Sequence, residues 1–263
     1  MAYNEEKSFA VELAKRAGRM MSESFKLGAE SWLKPDDTEV TKTDIMINRM
    51  VIEAVKKRFP EHDVLAEEQS NMARKSSKLW VCDPIDGTTM FRHGIPMCVF
   101  SLAYLEDGIP IAGVIYDPFM DRMFSAVKGE GAFLNDKPIK VSTNPNLKHA
   151  LIYVCYWKGA SFDISRMYKN LCDEDAYPID LGSVAYSAYL VAAGELFAAI
   201  NPTKYSHDIA ASKIIVEEAG GKVTDLYGNE QRYDGEIKGC IASNGLIHDK
   251  LVEIVKKTMS KDA

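Results

Sequence analysis

Two aspartates spaced three residues apart, Asp83 and Asp86, stand directly after the apolar run 79–82. Gly87 allows a tight bend after them, and Thr88 adds a hydroxyl group. A carboxylate held at the end of a buried strand is costly unless a cation pairs with it. Oxygen ligands at this density suit Mg²⁺ or Mn²⁺ better than zinc. The alternative is that both aspartates only shape a turn, because Asp-Pro and Asp-Gly are common turn pairs.

Further acidic side chains also stand at the ends of predicted elements. Glu67 and Glu68 follow the strand-like residues 63–66, while Asp44 and Asp208 each begin a predicted helix. Taken singly, each position has a simpler interpretation: the glutamates can be solvated, and aspartate is a favoured N-cap residue. Functional sites on mixed folds gather at the ends of elements, so these acids are candidates for one shared site.

The overall composition limits the classes of partner. The 263-residue chain is 46% hydrophobic and 27% charged, as in an average globular protein, and its net charge is −6. Such an acidic chain has no general attraction for nucleic acid or anionic membranes, so neither is predicted as a partner. An anionic substrate would need a local cation to reverse the field. The sequence contains no P-loop, dinucleotide fingerprint, nucleophile elbow or H-E-x-x-H motif.

The cysteines and the termini bear on the compartment. Five widely spaced cysteines form no C-x-x-C pair, which predicts reduced thiols in a cytoplasmic protein. Residues 1–18 lack the apolar core of a signal peptide, and no apolar run reaches the roughly eighteen residues of a membrane span. The five histidines are scattered along the chain, and we interpret His93 and His207 as ordinary polar residues.

The hydrophobic pattern changes its period along the chain. Apolar spacing predicts helices over 5–27 and 43–59, with an exposed loop at 29–44. Strands are predicted at 63–66, 79–82, 98–105, 109–116 and 122–127, with a hairpin turn at Asp107-Gly108. Strand and helix patterns alternate from about residue 145. We therefore predict an N-terminal half, 1–143, that carries most of the acidic residues, and a C-terminal half, 144–263, that completes the site.

Residues 83–88 resemble the signature of the inositol monophosphatase family, which comprises Mg²⁺-dependent, lithium-sensitive phosphomonoesterases. Three further blocks resemble this family in the same order: 40–44, 66–68, and His207-Asp208 with 213–221. The resemblance implies an α+β fold, a layered αβαβα sandwich, in a protein that forms homodimers. It also implies hydrolysis of a phosphate monoester of a small polyol or sugar by metal-activated water.

The resemblance assigns roles to individual residues. The ligands that it implies for two or three Mg²⁺ ions, or for Mn²⁺, are Glu67, Asp83, the backbone carbonyl of Ile85, Asp86 and Asp208. The catalytic residues that it implies are Asp44 and Thr88, which orient and deprotonate the attacking water, and Glu67. The substrate contacts that it implies are Asp86, Gly87, Thr88, Gly182, Ser183, Val184, Asn201 and Asp208.

Three positions depart from the family pattern. Many members carry Asn in place of Met90 and Trp in place of His207, and neither position is a metal ligand in that pattern. Asn201 stands where inositol-preferring members carry a Glu that contacts substrate hydroxyls. Inositol monophosphate is the first substrate implied, with histidinol phosphate, fructose 1,6-bisphosphate or a 3′-phosphonucleotide as alternatives. A non-catalytic ligand-binding member would lack a metal carboxylate or the water-activating pair, and this chain has both.

Overall fold

The computed structural model describes residues 3–35, 38–72, 75–157 and 159–260. The helices in these ranges are α1 Asn4–Ser24, α2 Lys42–Arg58, α3 Thr88–Arg92, α4 Ile164–Cys172, α5 Val184–Ala192, α6 Ala210–Glu218 and α7 His248–Met259. The strands are β1 Ser31–Leu33, β2 Glu39–Thr41, β3 Asp63–Ala66, β4 Lys78–Asp86, β5 Val99–Glu106, β6 Ile109–Asp117, β7 Arg122–Val127, β8 Gly131–Leu134, β9 Lys137–Pro138, β10 Leu151–Val154, β11 Tyr177–Ile179, β12 Ala198–Asn201, β13 Lys222–Thr224 and β14 Cys240–Ser243.

Two main sheets organise the described chain. The larger sheet has seven strands in the order β3-β4-β5-β6-β7-β8-β9, and only the β3–β4 pair is parallel. The smaller sheet has five strands in the order β11-β10-β12-β14-β13. In it, β10 runs parallel to β11 and β12, while β14 is antiparallel to both of its neighbours. The larger sheet therefore comes from the predicted N-terminal half and the smaller one from the predicted C-terminal half.

Side-chain alternation along the strands assembles the two sheets and three pairs of helices into five layers. In β4, Trp80 packs with α1 and α2 on one face, while Val81 packs with α5 and α6 on the other. In β10, Tyr153 faces that same central pair of helices, and Ile152 faces α4 and α7. Successive strand residues point to opposite faces, so each sheet is covered on both sides. The predicted α+β class with αβαβα layers is confirmed.

The local signals read from the sequence agree with the element boundaries. In a capping box at the start of α2, Thr41 accepts from the backbone N–H of Asp44, and the Asp44 carboxylate accepts from that of Thr41. This helix ends at Arg58, two residues before Pro60, which cannot continue it. The predicted hairpin between β5 and β6 turns at Asp107 and Gly108, whose φ angles of 48° and 77° are both positive.

Two sequence-based expectations were wrong in detail. Strand β4 does not end at Cys82 but continues to Asp86, with a register shift against β5 between Asp83 and Asp86. The predicted loop 29–44 contains the short antiparallel pair β1–β2, while residues 36 and 37 of that loop lie outside the described residues. Both features depend on pairing with another strand, which the periodicity of one segment does not reveal.

The central hydrophobic cluster joins the two predicted halves. Val81 and Phe124 from the larger sheet pack in the same cluster as Tyr153 and Ala242 from the smaller sheet. The division at residues 143 and 144 therefore crosses a shared core, and two separate units remain a prediction. In the described ranges, every helix is too short or too polar to cross a bilayer.

A buried histidine joins the start of α7 to the smaller sheet. His248 is 0% exposed, with Nδ1 at 2.8 Å from Ser243 Oγ and Nε2 at 2.9 Å from Thr224 Oγ1. Burial lowers the pKa of His248 to about 4, because the charged imidazolium would lose its hydration. The neutral ring is therefore the form that this packing stabilises.

We expect this histidine to make the fold sensitive to acid. The unfolded chain binds the proton at an ordinary pKa of about 6.5, so the stabilisation is complete above pH 6.5 and is lost as the pH falls towards 4. Between pH 7 and pH 4.5 the loss should be about 2 kcal/mol. Urea unfolding of the unaltered protein and of His248→Gln at both pH values measures it. Equal pH dependence in the two proteins would contradict the prediction.

Candidate active site

Strand β4 delivers the two aspartates of the central motif to the same end of the larger sheet. The shift in register separates the pair Asp83–Ser101 from the pair Asp86–Val99, so that both aspartates remain buried. Asp83 is only 3% exposed, and its Oδ1 has no hydrogen-bond partner among the described residues. An unpaired buried carboxylate oxygen is rare and costly, so a ligand is the expected partner.

Asp86 is held by a helix from the other half of the chain. Its Oδ1 accepts from the backbone N–H of Val184 at 3.2 Å, and its Oδ2 accepts from the backbone N–H of Ala185. Ser183 caps the same helix, because its Oγ accepts from the backbone N–H of Tyr186 at 3.2 Å. The positive end of α5 thus stabilises the Asp86 carboxylate and fixes the position of Ser183 and Val184 beside it.

The predicted water-activating pair is in hydrogen-bond contact. Thr88 Oγ1 lies 3.1 Å from Asp44 Oδ1 and 3.0 Å from the carbonyl oxygen of Ile85. Asp44 also accepts from the backbone N–H and the hydroxyl of Thr41. Burial raises the pKa of Asp44 to about 6, although the bonds from Thr41 and Thr88 oppose the rise. The carboxylate is therefore held rigidly with the threonine hydroxyl against it.

Asp208 does not act as a helix cap, which was the simpler interpretation of its position. It ends a 3₁₀ turn, Ser206–Asp208, and α6 begins two residues later at Ala210 without a side-chain cap. Its Oδ2 accepts from the hydroxyl of Thr203, and its Oδ1 lies 3.3 Å from His207 Nε2. The carboxylate therefore caps no helix, and it lies close enough to Asp83 and Asp86 for its charge to raise their pKa values.

Glu67 follows β3, the edge strand parallel to β4, and so lies beside Asp83. Glu67, Asp83 and His207 each offer one ligand atom, and these atoms all lie within 4.8 Å of one another. His207 was interpreted from sequence as an ordinary polar residue, and the structure instead places it in this group. The signal available in the sequence was its position directly before Asp208.

Lys34 is a second residue that the sequence analysis did not assign to the site. Its Nζ donates to Glu67 Oε1 at 2.8 Å and to Glu68 Oε1 at 3.1 Å. Burial alone would lower the pKa of Lys34, but the charges and hydrogen bonds of Glu67 and Glu68 have the larger effect and raise it above its ordinary value. Burial, followed by the charge of Glu67, raises the pKa of Glu68 to about 7. The chain thus places one of its own cations against this acidic group.

The remaining carboxylates resist ionisation in the metal-free protein. Burial raises the pKa of Asp83 well above its ordinary value, and the charges of Glu67, Asp86 and Asp208 raise it further. Burial likewise raises the pKa of Asp86 and of Asp208 to about 7 each. A divalent cation offsets both the lost hydration of these carboxylates and the repulsion between them. Hard carboxylate oxygens are the donors that Mg²⁺ prefers. The residues present therefore fit a magnesium site.

Glu67, Asp86, His207 and Asp208 border a cavity of about 470 Å³. The residues that line it are Lys34, Thr38, Glu67, Asp86, Cys155, Trp157, Val184, Thr203, Tyr205, His207 and Asp208. A larger groove of about 830 Å³ lies between α1 and α2, but it contains none of the predicted site residues. The smaller cavity is therefore the candidate active site, and its outer wall contains the aromatic side chains of Trp157 and Tyr205.

The predicted substrate contact at Asn201 is not supported by its position. Asn201 pairs with Cys240 inside the smaller sheet, is 0% exposed, and does not line the cavity. Gly182, another predicted substrate contact, is exposed and has a φ of 72° but does not line the cavity. The structure therefore brings Ser183 and Val184 to the Asp86 carboxylate, while Asn201 is buried and outside the cavity lining.

Gly87 is required by the local geometry. Its φ is 93°, and a Cβ atom there would lie 2.8 Å from the carbonyl oxygen of Met97 and 3.1 Å from Ser183 Cβ. The residue connects β4 to α3, whose first turn closes with a 2.9 Å bond from Phe91 N to Gly87 O. Any side chain would thus push apart the two segments that carry Asp86 and Ser183.

Substituting this glycine should be more damaging than substituting a glycine of the same conformation in open space. Gly220 has a φ of 90° and no neighbouring atom within 4 Å of a built Cβ. Both Gly→Ala changes should cost about 1–2 kcal/mol for the left-handed backbone, and Gly87→Ala should cost about 1–3 kcal/mol more for the contact. Urea unfolding of the two variants measures the difference, and equal losses would show that the backbone yields at Gly87.

Comparison with known proteins agrees with this geometry. The sequence matches the family model for the inositol monophosphatase family over residues 3–260. It is 34% identical over 262 residues to a Thermotoga maritima protein named fructose-1,6-bisphosphatase/inositol-1-monophosphatase, with 96% of each chain covered. It is also 31% identical to an inositol-1-monophosphatase from Mesorhizobium japonicum, with 95% of this chain and 96% of that protein covered.

Solved structures show the same fold. An IMPase from Thermotoga maritima superposes with a TM-score of 0.88 at 33% identity, covering 97% of this chain and 98% of that chain. An IMPase/NADP phosphatase complexed with Mg²⁺ and phosphate superposes with a TM-score of 0.85 at 25% identity, covering 97% and 96% of the two chains. By sequence and by fold over nearly its whole length, the chain belongs to the inositol monophosphatase family.

Proposed function

We propose that this protein hydrolyses phosphate monoesters of small polyols or sugars with the help of Mg²⁺. The observation that carries the proposal is the buried carboxylate oxygen of Asp83, which lies beside Glu67 and has no hydrogen-bond partner among the described residues. The Thr88–Asp44 pair is hydrogen-bonded, and Asp44 is close enough for its charge to raise the pKa of Asp83. Relatives named as inositol-1-monophosphatases and as a fructose-1,6-bisphosphatase/inositol-1-monophosphatase support the same reaction class.

We propose that the chain binds two or three Mg²⁺ ions, and Mn²⁺ suits the same oxygen donors. The proposed ligands are Glu67, Asp83, the carbonyl oxygen of Ile85, Asp86 and Asp208. When bound, Mg²⁺ supplies positive charge that neutralises the phosphate oxygens and makes water more acidic. Asp86 comes from β4 and Asp208 from the 3₁₀ turn before α6, far apart in the sequence, so the ligand set forms only in the folded chain.

The Thr88–Asp44 pair is proposed to position the attacking water. The Thr88 hydroxyl has one hydrogen and two nearby acceptors, Asp44 Oδ1 and the Ile85 carbonyl. When it donates to Asp44, its oxygen lone pairs are free to accept from a water molecule. Proton transfer from the water through the Thr88 hydroxyl to the Asp44 carboxylate then makes the water a better nucleophile. Glu67 is the third residue proposed to be catalytic. Phosphate hydrolysis in this scheme needs no covalent enzyme intermediate.

The phosphate and its alcohol are proposed to occupy the 470 Å³ cavity. Backbone N–H groups of Gly87 and Thr88 at the start of α3 are proposed to donate to the phosphate oxygens. Asp86, Val184 and Asp208 line this cavity, and Gly182 and Ser183, which directly precede Val184, are proposed as further substrate contacts. Inositol monophosphate remains the first proposed substrate. Asn201 is uncharged and 0% exposed, so it supplies no charged contact that would select this substrate.

Three wider properties remain proposals that rest on the family resemblance and on composition. We propose a homodimer, inhibition by Li⁺, and a cytoplasmic location. The five cysteines all lie in the described part of the chain as free thiols, which supports a reducing compartment. Light scattering of the purified protein tests the dimer directly.

Asp83→Asn should raise the stability of the metal-free protein and lower its activity. Removing a buried, repelled charge should raise the stability of the metal-free protein by about 1 kcal/mol or more, or roughly 2–4 °C in Tm. The same change should remove the stabilisation by Mg²⁺, about 2–3 kcal/mol at a hundredfold excess over Kd. It should also slow Mg²⁺-dependent phosphate release from inositol 1-phosphate by about a thousandfold. Thermal unfolding with EDTA or Mg²⁺, and phosphate release, measure these effects.

Asp225→Asn is a matched control at a buried carboxylate that has its partners. Asp225 accepts from the backbone N–H groups of Tyr227 and Asn229, each at 2.8 Å, and is 3% exposed. This variant should lose about 1–2 kcal/mol of stability and keep both the Mg²⁺ shift and the activity. Full Mg²⁺-dependent activity in Asp83→Asn would refute the proposed mechanism.

The substrate is tested with a panel of phosphate esters. We expect release from inositol 1-phosphate to exceed release from fructose 1,6-bisphosphate, histidinol phosphate and adenosine 3′,5′-bisphosphate, and millimolar Li⁺ to reduce it. The buried Asn201 predicts only modest discrimination, about tenfold or less, because no charged side chain from that position reaches the cavity. A preference of a hundredfold or more for another ester would reassign the substrate without changing the reaction class.

A further inference from the structure

The histidine beside Asp208 is placed and oriented as a ligand would be. The His207 side chain is 12% exposed and lines the candidate active site. Its ring stacks on Tyr205, with centroids 5.3 Å apart and an angle of 13° between the planes. The stack limits rotation of the imidazole, which holds its ligand nitrogen near Glu67 and Asp83.

The distances suit a shared cation. Ligand atoms at about 2.1 Å from an ion lie roughly 3.0 Å apart when adjacent and 4.2 Å apart when opposite. The ligand atoms of Glu67, Asp83 and His207 lie within 4.8 Å of one another, so a small contraction brings them to this spacing. Asp83 adds an independent indication, because its buried Oδ1 lacks a partner within the described ranges.

Its neighbour Asp208 leaves the imidazole able to bind a cation. His207 Nε2 lies 3.3 Å from Asp208 Oδ1. A neutral imidazole has one N–H and one nitrogen with a lone pair, so it can donate to a carboxylate and bind a metal at the same time. Histidine ligands in proteins are commonly oriented by such a carboxylate.

We propose that His207 supplies a nitrogen ligand to the cation that Glu67 and Asp83 share, so that this site favours Mn²⁺ or Co²⁺ over Mg²⁺. The inference rests on the proposed function, because it refines the metal site of that reaction. Imidazole suits borderline transition metals, whereas Mg²⁺ strongly prefers oxygen. The Trp that many family members carry at this position has no such lone pair, so the preference would distinguish this chain.

Electron spin-echo spectroscopy of the Mn²⁺-loaded protein tests the bond itself. We expect modulation from a coordinated ¹⁴N nucleus in the unaltered protein and its loss in His207→Phe, which keeps an aromatic ring against Tyr205. His93→Phe is the matched control, because His93 is exposed and does not line the cavity, and its spectrum should be unchanged. Absence of nitrogen modulation in the unaltered protein would overturn the proposal whether or not the variant folds.

Titration calorimetry measures the metal preference. His207→Phe should weaken Mn²⁺ binding by about tenfold or more and change Mg²⁺ binding by less than about threefold. Equal losses for both metals, or no loss, would overturn the proposal. If the unaltered protein binds Mn²⁺ without nitrogen modulation yet releases phosphate, only the inference about His207 fails. If it binds neither metal, the proposed function fails with it.

Discussion

The structure depends on the burial of carboxylates that repel one another. Glu67, Asp86 and Asp208 line one cavity, Asp83 lies beside Glu67, and burial raises the pKa of the three aspartates. In the absence of a cation this arrangement costs free energy, because each charge loses its hydration and approaches others of the same sign. The fold therefore holds the acidic groups in the arrangement that a divalent cation would stabilise. The favourable packing of the hydrophobic core offsets the free-energy cost of this arrangement.

The chain itself neutralises part of the acidic cluster. The N-terminal amides of α5 bind Asp86, Thr203 donates to Asp208, and Lys34 pairs with Glu67. One oxygen of Asp83 is left without any partner among the described residues. These neighbours restrain most of the carboxylates before a metal binds, so less rearrangement is needed on binding. The same logic makes the unpaired Asp83 the residue where stability and function conflict most.

The five layers explain how such distant residues meet. Parallel pairing of β3 with β4 sets Glu67 beside Asp83, and the register shift near the end of β4 keeps Asp86 on the same side. Helix α5 and the 3₁₀ turn before α6 approach from the middle layer, where they pack against the larger sheet. His207 reaches the cluster because that turn ends before α6 begins, which leaves residues 206–208 outside the regular helix.

The sequence by itself determined the local features. The start of α2, the strand Asp63–Ala66 and the hairpin at Asp107-Gly108 follow from capping, periodicity and turn chemistry, which involve near neighbours only. The motif around Asp83 also identified the type of chemistry. Only the tertiary structure decided that Asp208 lies close to Asp83 and Asp86, that His207 joins Glu67 and Asp83, and that Asn201 is buried. These outcomes depend on register shifts and on packing between sheets, which link residues far apart in the chain and leave no local pattern.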